Sequence, residues 1–503
     1  MNHLFDIVRS RMPEAEKPLL EREDGSVLTY GGLLTETGRL ANALVALGVK
    51  TGDRVAAQVE KSAEALLLYL ACVRAGAVFL PLNPGYMLRE VEYFLRDAEP
   101  VVVVCPPGKR AKMEGIAGEK CRVETLGVAG DGSLVELSAR QPEIFEDRPR
   151  EAGDLAAILY TSGTTGRSKG AMLTHGNLAS NALTLVDTWR FTRNDVLIHA
   201  LPIFHTHGLF VAFNTVLLSG AKMLFFQRFD PAQVIAAFPR ATAMMGVPTF
   251  YVRLLDHPGL ADARLETMRL FVSGSAPLLA ETFAAWQERT GHAILERYGM
   301  TETNMNTSNP YDGERMAGTV GFPLPGVDLR VVDPATGERF GADAIGMIEV
   351  RGPNVFCGYW RMPEKTAEEF RPDGFFITGD LGRIDARGYV QIVGRGKDLI
   401  ISGGLNVYPK EVETEIDLLP GVLESAVIGL SHPDFGEGVT AVVVKERGAE
   451  LYEEAVLRGL EDRLAKFKQP KRVMFVEELP RNTMGKVQKN ILRQNFEGLY
   501  RKG

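Results

Sequence analysis

Apolar and polar residues alternate along the first third of the chain in a pattern that predicts strands and helices in turn. Residues 53–60 are apolar at every second position, as in a strand, and residues 62–74 form a mostly apolar helical stretch. The run 77–82 predicts the next strand, residues 87–100 have apolar side chains at helical spacing, and the four valines at 101–104 predict a strand buried on both faces. This order favours a parallel sheet covered by helices.

The same alternation continues through the middle of the chain and then changes. Short apolar runs at 156–160, 195–201, 222–226 and 270–274 predict further buried strands, with helical segments between them. After about Asp328, Gly and Asp turns separate short alternating segments, which is typical of antiparallel hairpins. The predicted fold class is therefore α/β, with parallel-type sheets in a large N-terminal domain.

The last hundred residues have a pattern of their own, in which helices and strands alternate over short distances. The predicted helices are 409–419 and 453–467, and the predicted strands are 424–430, 438–446 and 471–479. We place a domain boundary where the hairpin-rich segment ends. The expected division is a large domain at 1–394 and a small α+β domain at 395–503.

Composition and charge exclude several classes of protein. The 503 residues are 45% apolar with a net charge of −7, which argues against disorder and against nucleic acid or an anionic membrane surface as the main partner. The four cysteines form no Cys-x-x-Cys motif, so neither a zinc ribbon nor a disulfide scaffold is indicated. The apolar stretch 65–82 contains Arg74 and Gly76 and predicts a buried helix and strand rather than a membrane span. Residues 1–16 resemble neither a signal nor a transit peptide, so a cytoplasmic location is expected.

The most informative stretch is the loop at 160–170, which is rich in hydroxyl side chains and contains two internal glycines and two cations. Glycines allow backbone N–H groups to approach a ligand closely, while hydroxyl and ammonium groups bind phosphate oxygens. The loop is not a Walker A motif, because Gly163 and Gly166 are only three positions apart. The residues that follow it are predicted to be extended, so no helix N-terminus is expected to hold the phosphate. A flexible polar turn is the alternative interpretation of such a loop.

Five ordered motifs resemble the signatures of the acyl-adenylate-forming superfamily, which includes acyl-CoA synthetases, luciferases and peptide-synthetase adenylation domains. They lie at 160–170, 298–302, 377–382, 394–398 and 480–486, and the resemblance extends from about residue 28 to the C-terminus. It implies a large adenylating domain with a small mobile C-terminal domain. It also implies ATP, Mg²⁺ and coenzyme A, used to convert a carboxylic acid to an acyl-AMP with release of pyrophosphate and then to a thioester with release of AMP.

The resemblance assigns the nucleotide and its metal ion to named residues. Thr161 and Glu302 would bind Mg²⁺, Asp380 would accept hydrogen bonds from the ribose hydroxyls, Arg395 would reach ribose or phosphate, and Tyr298 would lie against adenine. The other predicted ATP or AMP contacts are Ser162, Gly163, Thr164, Thr165, Gly166, Lys169, Ser275, Ala276, Arg297, Gly299, Met300, Thr301 and Lys486. The structural alternatives are a solvated turn for Asp380, a hinge ion pair for Arg395 and core packing for Tyr298.

Lys486 is the main catalytic candidate, together with Glu302 and Thr161. By resemblance its ammonium group approaches the substrate carboxylate and the α-phosphate, where it would offset charge that develops in the reaction. The small domain would rotate at Lys397 and present a glycine-rich edge to the pantetheine arm of coenzyme A. That edge contains Ser402, Gly403 and Gly404. Lys486 is also a candidate target for a lysine acetyltransferase, because acetylation would remove the charge that the mechanism needs.

The predicted acid pocket is unusually polar. It is drawn from residues 202–208, 273–277 and 295–307, and a fatty-acid tunnel would be apolar because unpaired buried polar groups are costly. A short acid with a second carboxylate needs a cation, which Arg297 offers in bidentate form. The predicted acid ligands are Arg297, His207, Thr206, Ser275 and Met305. Residues 205–207 are expected to alternate between the faces of a strand, and no third ligand lies near His205 and His207 in the sequence, which disfavours a metal site.

These segments resemble most closely those of the malonyl-CoA synthetases within the family. Malonate is therefore the predicted acid, with methylmalonate as a second candidate. The alternatives are another short-chain acid, a carrier-protein thiol as acceptor, and a structural ion pair of Arg297 with Glu296 or Glu302. A non-catalytic nucleotide-binding regulator is a further alternative, which the presence of Lys486, Glu302 and Asp380 disfavours.

Overall fold

The chain folds into two compact units. The structure, a computed structural model, describes residues 1–161, 168–402, 405–482 and 485–500. The first unit consists of Met1–Asp328 and Arg351–Phe376, and the second consists of Leu329–Val350 and Ile377–Gly503. The predicted functional boundary at 394/395 divides the chain at a different place and stays a prediction.

Strands and helices alternate along most of the chain. The strands are β1 Pro18–Arg22, β2 Val27–Thr29, β3 Arg54–Ala57, β4 Val78–Pro81, β5 Val102–Cys105, β6 Arg122–Thr125, β7 Leu155–Thr161, β8 Lys169–Thr174, β9 Val196–His199, β10 Lys222–Phe225, β11 Ala243–Gly246, β12 Leu270–Ser273, β13 Leu295–Met300, β14 Asn304–Ser308, β15 Phe322–Pro323, β16 Asp328–Val332, β17 Gly346–Arg351, β18 Phe376–Ile384, β19 Val390–Arg395, β20 Ile400–Ser402, β21 Leu405–Val407, β22 Val422–His432, β23 Gly436–Lys445 and β24 Arg472–Val476. The α-helices are α1 His3–Arg11, α2 Tyr30–Ala46, α3 Ala63–Ala75, α4 Leu88–Ala98, α5 Arg110–Ala117, α6 Ser133–Ser138, α7 His175–Thr188, α8 Asn214–Ser219, α9 Pro231–Ala237, α10 Pro248–Asp256, α11 Ala280–Thr290, α12 Pro363–Glu369, α13 Pro409–Asp417, α14 Glu453–Gly459 and α15 Lys489–Asn495.

Two largely parallel sheets form the framework of the first unit. One has six strands in the order β6-β5-β3-β4-β7-β8, and only its edge pair β7–β8 is antiparallel. The other has nine strands in the order β15-β14-β13-β12-β11-β9-β10-β1-β2, with parallel pairing from β13 to β1. The predicted α/β fold with parallel sheets is confirmed.

The local sequence explains why α3 forms where it does. Its N-cap is Ser62, whose side chain accepts a hydrogen bond from the Ala65 N–H group, and it ends at Gly76, which adopts the left-handed conformation with φ 69°. Twelve of its thirteen residues are buried, so the helix is covered on all sides. This burial accounts for the long apolar stretch that the sequence shows at 65–82.

Two sheets also organise the second unit. Strands β16-β17-β18-β19 form one of them. Its β18–β19 pair is an antiparallel hairpin, as predicted for the segment after residue 328. The other has the order β21-β20-β23-β22 with β24 beside β23. On β22, Val427 packs into the core formed with α13 and α14, whereas Ala426 and Ile428 pack on the opposite face with Leu492 of α15.

The predicted helix 453–467 is shorter than expected. Helix α14 ends at Gly459, where an added Cβ would lie only 2.8 Å from Leu419 Cδ2. The Gln469 side chain donates to the carbonyl groups of Leu460, Glu461 and Leu464. These backbone groups therefore have hydrogen-bond partners although helix α14 does not continue through them. No helix within the described ranges is both long enough and apolar enough to cross a membrane.

Candidate active site

Thr161 and Glu302 lie next to each other at the carboxyl ends of two strands. Thr161 is the last residue of β7, and Glu302 comes two residues after β13 ends at Met300. The Thr161 hydroxyl donates to Glu302 Oε1 over 3.3 Å, and the Glu302 side chain is buried. The structure thus brings together the two residues that are predicted to bind Mg²⁺.

Tyr359 and Phe356 hold Glu302 from the other direction. The Tyr359 hydroxyl is 3.1 Å from Glu302 Oε1, and the Phe356 N–H group donates to the Glu302 carbonyl over 2.7 Å. Burial, together with the charge of Glu302, raises the pKa of Tyr359, so the phenol keeps its proton. Tyr359 could not be predicted from the sequence, because a single aromatic residue outside a motif is typical of an ordinary core position.

The oxygen atoms around Glu302 fit a magnesium ion. Carboxylate and hydroxyl oxygens are the hard ligands that Mg²⁺ prefers, and the ion usually keeps several waters and bridges phosphates. Among the described residues, no three His, Cys, Asp or Glu side chains cluster in a way that would hold a metal. One carboxylate and one hydroxyl therefore suit an ion that shares its coordination sphere with a nucleotide.

The hydroxyl-rich loop is only partly described. Ser162, Gly163, Thr164, Thr165 and Gly166 fall outside the described residues, and their predicted contacts with phosphate stay predictions. Lys169 begins β8, which confirms that the residues after the loop are extended. Its side chain is buried, lies 2.9 Å from Glu369 Oε1 and is 4.1 Å from the centre of the Tyr359 ring. Its predicted contact with phosphate likewise stays a prediction.

Arg297 is a buried cation with unsatisfied hydrogen-bond donors. It lies on β13, is 3% exposed, and its Nε and Nη2 atoms have no hydrogen-bond partner. No ion pair of Arg297 occurs among the described residues, so the structural pairing with Glu296 or Glu302 considered above is not observed. Burial lowers the pKa of Arg297 to about 9, although the charge of Glu296 acts in the opposite direction. Such a group is costly to bury unless an anion reaches it.

The loop that follows β12 lies against this guanidinium. A Cβ added to Gly274 would lie 2.4 Å from Arg297 Cζ, so glycine leaves the space that the guanidinium fills. Ser275 adopts the left-handed conformation with φ 73°, and its Oγ is 3.2 Å from His207 Nδ1. The Ser273 hydroxyl is buried without a partner. Three of the predicted acid ligands, Arg297, Ser275 and His207, therefore lie around one small region.

His207 does not lie on a strand, and that expectation is wrong. It begins a π-helix, His207–Phe213, because the chain turns back tightly at Gly208, where a Cβ would lie 2.0 Å from the Pro202 carbonyl oxygen. Thr206 Oγ1 and His207 Nε2 are both buried without a hydrogen-bond partner. Burial and the positive charge of Arg297 lower the pKa of His207 well below its usual value, so the ring is neutral.

Met305 lies on β14, in a segment that is held by amide side chains. The Asn181 side chain accepts from the Met305 N–H group over 3.2 Å and donates to its carbonyl oxygen over 2.9 Å. On the same strand, Asn304 Oδ1 and Asn306 Nδ2 are buried without partners. Buried polar atoms are almost always hydrogen-bonded, so these orphan atoms are consistent with a polar ligand in this part of the first unit.

The remaining residues of the second signature surround these groups. Tyr298, Gly299 and Met300 end β13 and are half-buried, as are Thr301 and Ala276. Tyr298 faces Thr307 across the β13–β14 pair. Their predicted contacts with the nucleotide stay predictions.

Asp380 and Arg395 form an ion pair in the second unit. They face each other across β18 and β19, with Arg395 Nε 2.7 Å from Asp380 Oδ1. The Asp380 side chain is only 4% exposed, whereas that of Arg395 is 32% exposed. The ion pair that was the alternative role predicted for Arg395 is thus present. It also fixes the orientation of the buried Asp380 carboxylate.

The predicted hinge and catalytic lysines are both exposed. Lys397 lies in a single 3₁₀ turn, Gly396–Asp398. Ser402 is buried opposite Leu405 on the β20–β21 pair, while Gly403 and Gly404 fall outside the described residues. Lys486 lies in a tight turn, where its N–H group donates to Asn482 Oδ1 and its carbonyl accepts from the Asn482 N–H group, both over 2.9 Å.

A profile described as AMP-binding enzyme matches residues 9–360, and a profile described as AMP-binding enzyme C-terminal domain matches residues 411–486. The chain belongs to the AMP-binding enzyme family. This membership accounts for the fold and for the positions of Thr161, Glu302 and Lys486 in sequence motifs of one family.

Several known proteins are similar to this chain over nearly their whole length. The crystal structure of ATP-bound MatB from Rhodopseudomonas palustris is 61% identical with a TM-score of 0.98, covering 99% of this chain and 100% of that one. A feruloyl-CoA synthase from an Amycolatopsis species is 37% identical over 484 residues, covering 94% of this chain and 95% of that protein. A malonate–CoA ligase from Arabidopsis thaliana is 31% identical over 556 residues, covering 99% and 91% respectively.

Proposed function

We propose that this chain is a malonate–CoA ligase that forms AMP. It activates malonate with ATP to malonyl-AMP, releasing pyrophosphate, and then forms malonyl-CoA with release of AMP. The observation that carries the choice of acid is the buried guanidinium of Arg297, whose Nε and Nη2 atoms lack partners. The distal carboxylate of malonate supplies the missing anion. Similarity to a malonate–CoA ligase and to ATP-bound MatB supports the same choice.

A larger aromatic acid, as in the name of the feruloyl-CoA synthase, fits this site less well. Ferulate carries no second carboxylate, so Arg297 would remain a buried unpaired cation next to an apolar ring. A small dicarboxylate satisfies both the cation and the polar atoms of Thr206, His207 and Ser273. Methylmalonate keeps both carboxylates and is a second acid to be tested.

In the acid pocket, the chain binds and orients malonate before any bond changes. Arg297 pairs with the distal carboxylate, while neutral His207, Thr206 and Ser275 provide hydrogen bonds at its sides. Met305 closes an apolar wall. With the distal carboxylate fixed, the reacting carboxylate is presented in one orientation, which lowers the entropic part of the barrier.

ATP bound with Mg²⁺ supplies the electrophilic α-phosphate and its leaving group. Thr161 and Glu302 hold the ion, the loop residues 162–166 and Lys169 hold phosphate oxygens, and Tyr298 lies against the adenine ring. Residues 275–276 and 299–301 complete the nucleotide contacts. The buried carboxylate of Asp380 accepts hydrogen bonds from the ribose hydroxyls, and Arg395 both orients that carboxylate and reaches ribose or phosphate.

Lys486 brings a positive charge to two anions that repel each other. Its ammonium group contacts the attacking carboxylate and the α-phosphate, and a donor placed where charge develops contributes about 3–4 kcal/mol to catalysis. Lys397 is the hinge of a mobile domain spanning 395–503. The edge formed by Ser402, Gly403 and Gly404 receives the pantetheine arm of coenzyme A in the second half-reaction.

Two further expectations accompany this function. A cytoplasmic location suits an enzyme that uses ATP and coenzyme A. Acetylation of Lys486 by a lysine acetyltransferase would remove the charge on which adenylation depends; mass spectrometry of the protein from its native cells tests it.

The experiment that tests the function is a substrate panel with nucleotide analysis. Malonate, methylmalonate, acetate and succinate are each supplied with ATP, Mg²⁺ and coenzyme A, and AMP, ADP, pyrophosphate and thioester are measured. We expect AMP and pyrophosphate in equal amounts and the highest kcat/KM for malonate. Release of ADP, or a higher kcat/KM for acetate, would contradict the proposal.

The same panel run on Arg297→Leu tests the role of the cation. We expect malonate turnover to fall by about 100-fold or more, because a buried charge pair is lost, while acetate turnover changes little. Arg253→Leu removes an exposed arginine from helix α10 and is the matched control. Equal losses for malonate and acetate would remove Arg297 from acid recognition.

A further inference from the structure

Glu369 and Lys169 form a buried ion pair beside Tyr359. Lys169 Nζ is 2.9 Å from Glu369 Oε1, and both side chains are less than one-fifth exposed. Glu369 is the last residue of α12 and lies between the two family matches, which end at residue 360 and resume at residue 411. Glu369 belongs to none of the five sequence motifs.

The Tyr359 hydroxyl connects this ion pair to Glu302. It is 2.6 Å from Glu369 Oε2 and 3.1 Å from Glu302 Oε1. A phenol has one hydrogen, so it donates to only one of the two carboxylates at a time. Two acidic side chains therefore compete for a single donor, and the shorter of the two contacts is the one with Glu369.

The two competing carboxylates differ in their counter-charge. Lys169 forms an ion pair with Glu369. A second cation, Lys365, places its Nζ atom 3.2 Å from the same oxygen, Glu369 Oε1. Burial opposes ionisation of Glu369, but the hydrogen bonds from Lys169 and Tyr359 outweigh it and lower its pKa. Within the described part of the chain, no Lys, Arg or His forms an ion pair with Glu302. The charge of Lys169 thus governs how strongly Glu369 draws the phenol hydrogen away from Glu302.

The hydrogen-bond contacts of the Glu302 carboxylate within the described part of the chain fall on one oxygen. Thr161 approaches Oε1 at 3.3 Å and Tyr359 approaches Oε1 at 3.1 Å. Tyr359 is itself fixed by edge-on packing against Phe356, with ring centres 4.8 Å apart, and by Lys169 over its face. Both contacts are thus to Oε1, and Oε2 keeps its lone pairs for another ligand.

We propose that Glu369 is a positioning residue for the metal-binding carboxylate. Paired with Lys169, it accepts the single hydrogen of the Tyr359 hydroxyl over 2.6 Å, so that this hydrogen does not offset the negative charge of Glu302, which stays available to the ion that accompanies the nucleotide. This inference rests on the proposed function, in which Glu302 binds Mg²⁺. Glu369 itself touches neither substrate nor metal.

The test measures metal binding rather than turnover alone. Mn²⁺ is titrated into the full chain with a non-hydrolysable ATP analogue and no acid, and free Mn²⁺ is followed by electron paramagnetic resonance. We expect Glu369→Gln to weaken Mn²⁺ binding by roughly 3–10-fold, because the phenol hydrogen then bonds to Glu302 and the ion must displace a hydrogen bond to a charged group. Tyr359→Phe has no hydroxyl hydrogen to turn toward Glu302, so its Mn²⁺ affinity should not fall. The KM for malonate should stay unchanged in both variants.

The matched control is Glu368→Gln, which removes a neighbouring carboxylate of the same helix that pairs with Lys365 over 3.0 Å. We expect its Mn²⁺ affinity to equal that of the wild type. Tyr359→Phe keeps the ring that packs on Phe356 and Lys169, so it remains informative if Glu369→Gln does not fold. A loss of Mn²⁺ affinity in Tyr359→Phe, or wild-type affinity in Glu369→Gln, would overturn the inference.

Glu302→Gln separates a failure of this inference from a failure of the proposed function. If Glu302→Gln loses Mn²⁺ binding while Glu369→Gln keeps it, Glu302 is the metal ligand and Glu369 has no positioning role. If Glu302→Gln itself binds Mn²⁺ normally, the assignment of the metal to Glu302 is wrong, and the proposal for Glu369 is wrong with it.

Discussion

The guanidinium of Arg297 occupies the space that a side chain at position 274 would need, and the residue there is Gly274. A Cβ at position 274 would lie 2.4 Å from Arg297 Cζ, 2.5 Å from Nη1 and 2.6 Å from Nε. The guanidinium is fully buried, so it has no solvent-filled space into which it can withdraw. Glycine at 274 is therefore required for the cation to remain where the acid pocket needs it.

Gly274→Ala should displace the Arg297 guanidinium without removing its charge. We expect kcat/KM for malonate to fall by about 100-fold, equivalent to about 3 kcal/mol, because the bidentate geometry is lost. Acetate, which has no distal carboxylate, should lose much less. Steady-state kinetics with both acids measure the difference.

The control for this substitution is Gly153→Ala. An added Cβ at Gly153 meets nothing within 4 Å, and its φ is not in the left-handed region. We expect unchanged kinetics with both acids. If Gly274→Ala reduced malonate and acetate turnover equally, the glycine would be needed for the loop rather than for the cation.

Lys486→Ala should separate the two half-reactions. Adenylation, followed as pyrophosphate release, is expected to fall by 10²–10³-fold, or about 3–4 kcal/mol, because the ammonium group that offsets the developing charge is lost. Thioester formation from supplied malonyl-AMP should stay close to wild type. Lys466→Ala, which removes an exposed lysine of the same unit, is the control. Equal losses in both half-reactions would remove the assigned role.

Asp380 should make the nucleotide site sensitive to the ribose hydroxyls. A hydrogen bond to a charged group contributes about 1.5–3 kcal/mol, so the wild type should prefer ATP over 2′,3′-dideoxy-ATP by at least 10-fold. In Asp380→Asn this preference should shrink while dideoxy-ATP is used as before. Comparing the two nucleotides in both proteins cancels any general effect of losing the 2.7 Å ion pair with Arg395. An unchanged preference would show that Asp380 only orients Arg395.

The fold and the signature residues could be predicted from the sequence because they depend on local pattern. Valines buried on both faces predict a parallel strand, and β5 forms at Val102–Cys105 in such a sheet. Thr161 and Glu302 could be paired in advance because each belongs to a recognisable motif, and the structure places their side chains in contact.

Two details of the site, a π-helix and a long-range ion pair, could not be predicted from local pattern. The π-helix at His207 follows from a close backbone approach at Gly208, and apolar periodicity carries no signal for such an approach. The contact between Glu369 and Lys169 joins residues 200 positions apart, and Glu369, unlike Lys169, belongs to no recognisable motif. Long-range packing of this kind becomes visible only when the chain is folded.

Asp417 gives the second unit a pH-dependent stability. It is the last residue of α13 and accepts a hydrogen bond from Ser425 over 2.7 Å. Burial, together with the charges of Glu413 and Glu424, raises the pKa of Asp417 to about 6 despite that hydrogen bond. In the unfolded chain the carboxyl titrates near its ordinary pKa of about 4. The folded state therefore holds the proton more tightly than the unfolded state does.

The stabilising effect of this proton is fully present below about pH 4 and is lost as the pH rises through about 6, and the corresponding free energy is roughly 2–3 kcal/mol. Asp417→Asn cannot ionise and should raise the apparent Tm at pH 8 by roughly 3–8 °C, with little effect at pH 4. Asp434→Asn, in an exposed turn, is the control and should shift neither value. Thermal unfolding across this pH range measures the effect. An equal shift at pH 4 and pH 8 would mean that Asn stabilises by packing rather than by removing a buried charge.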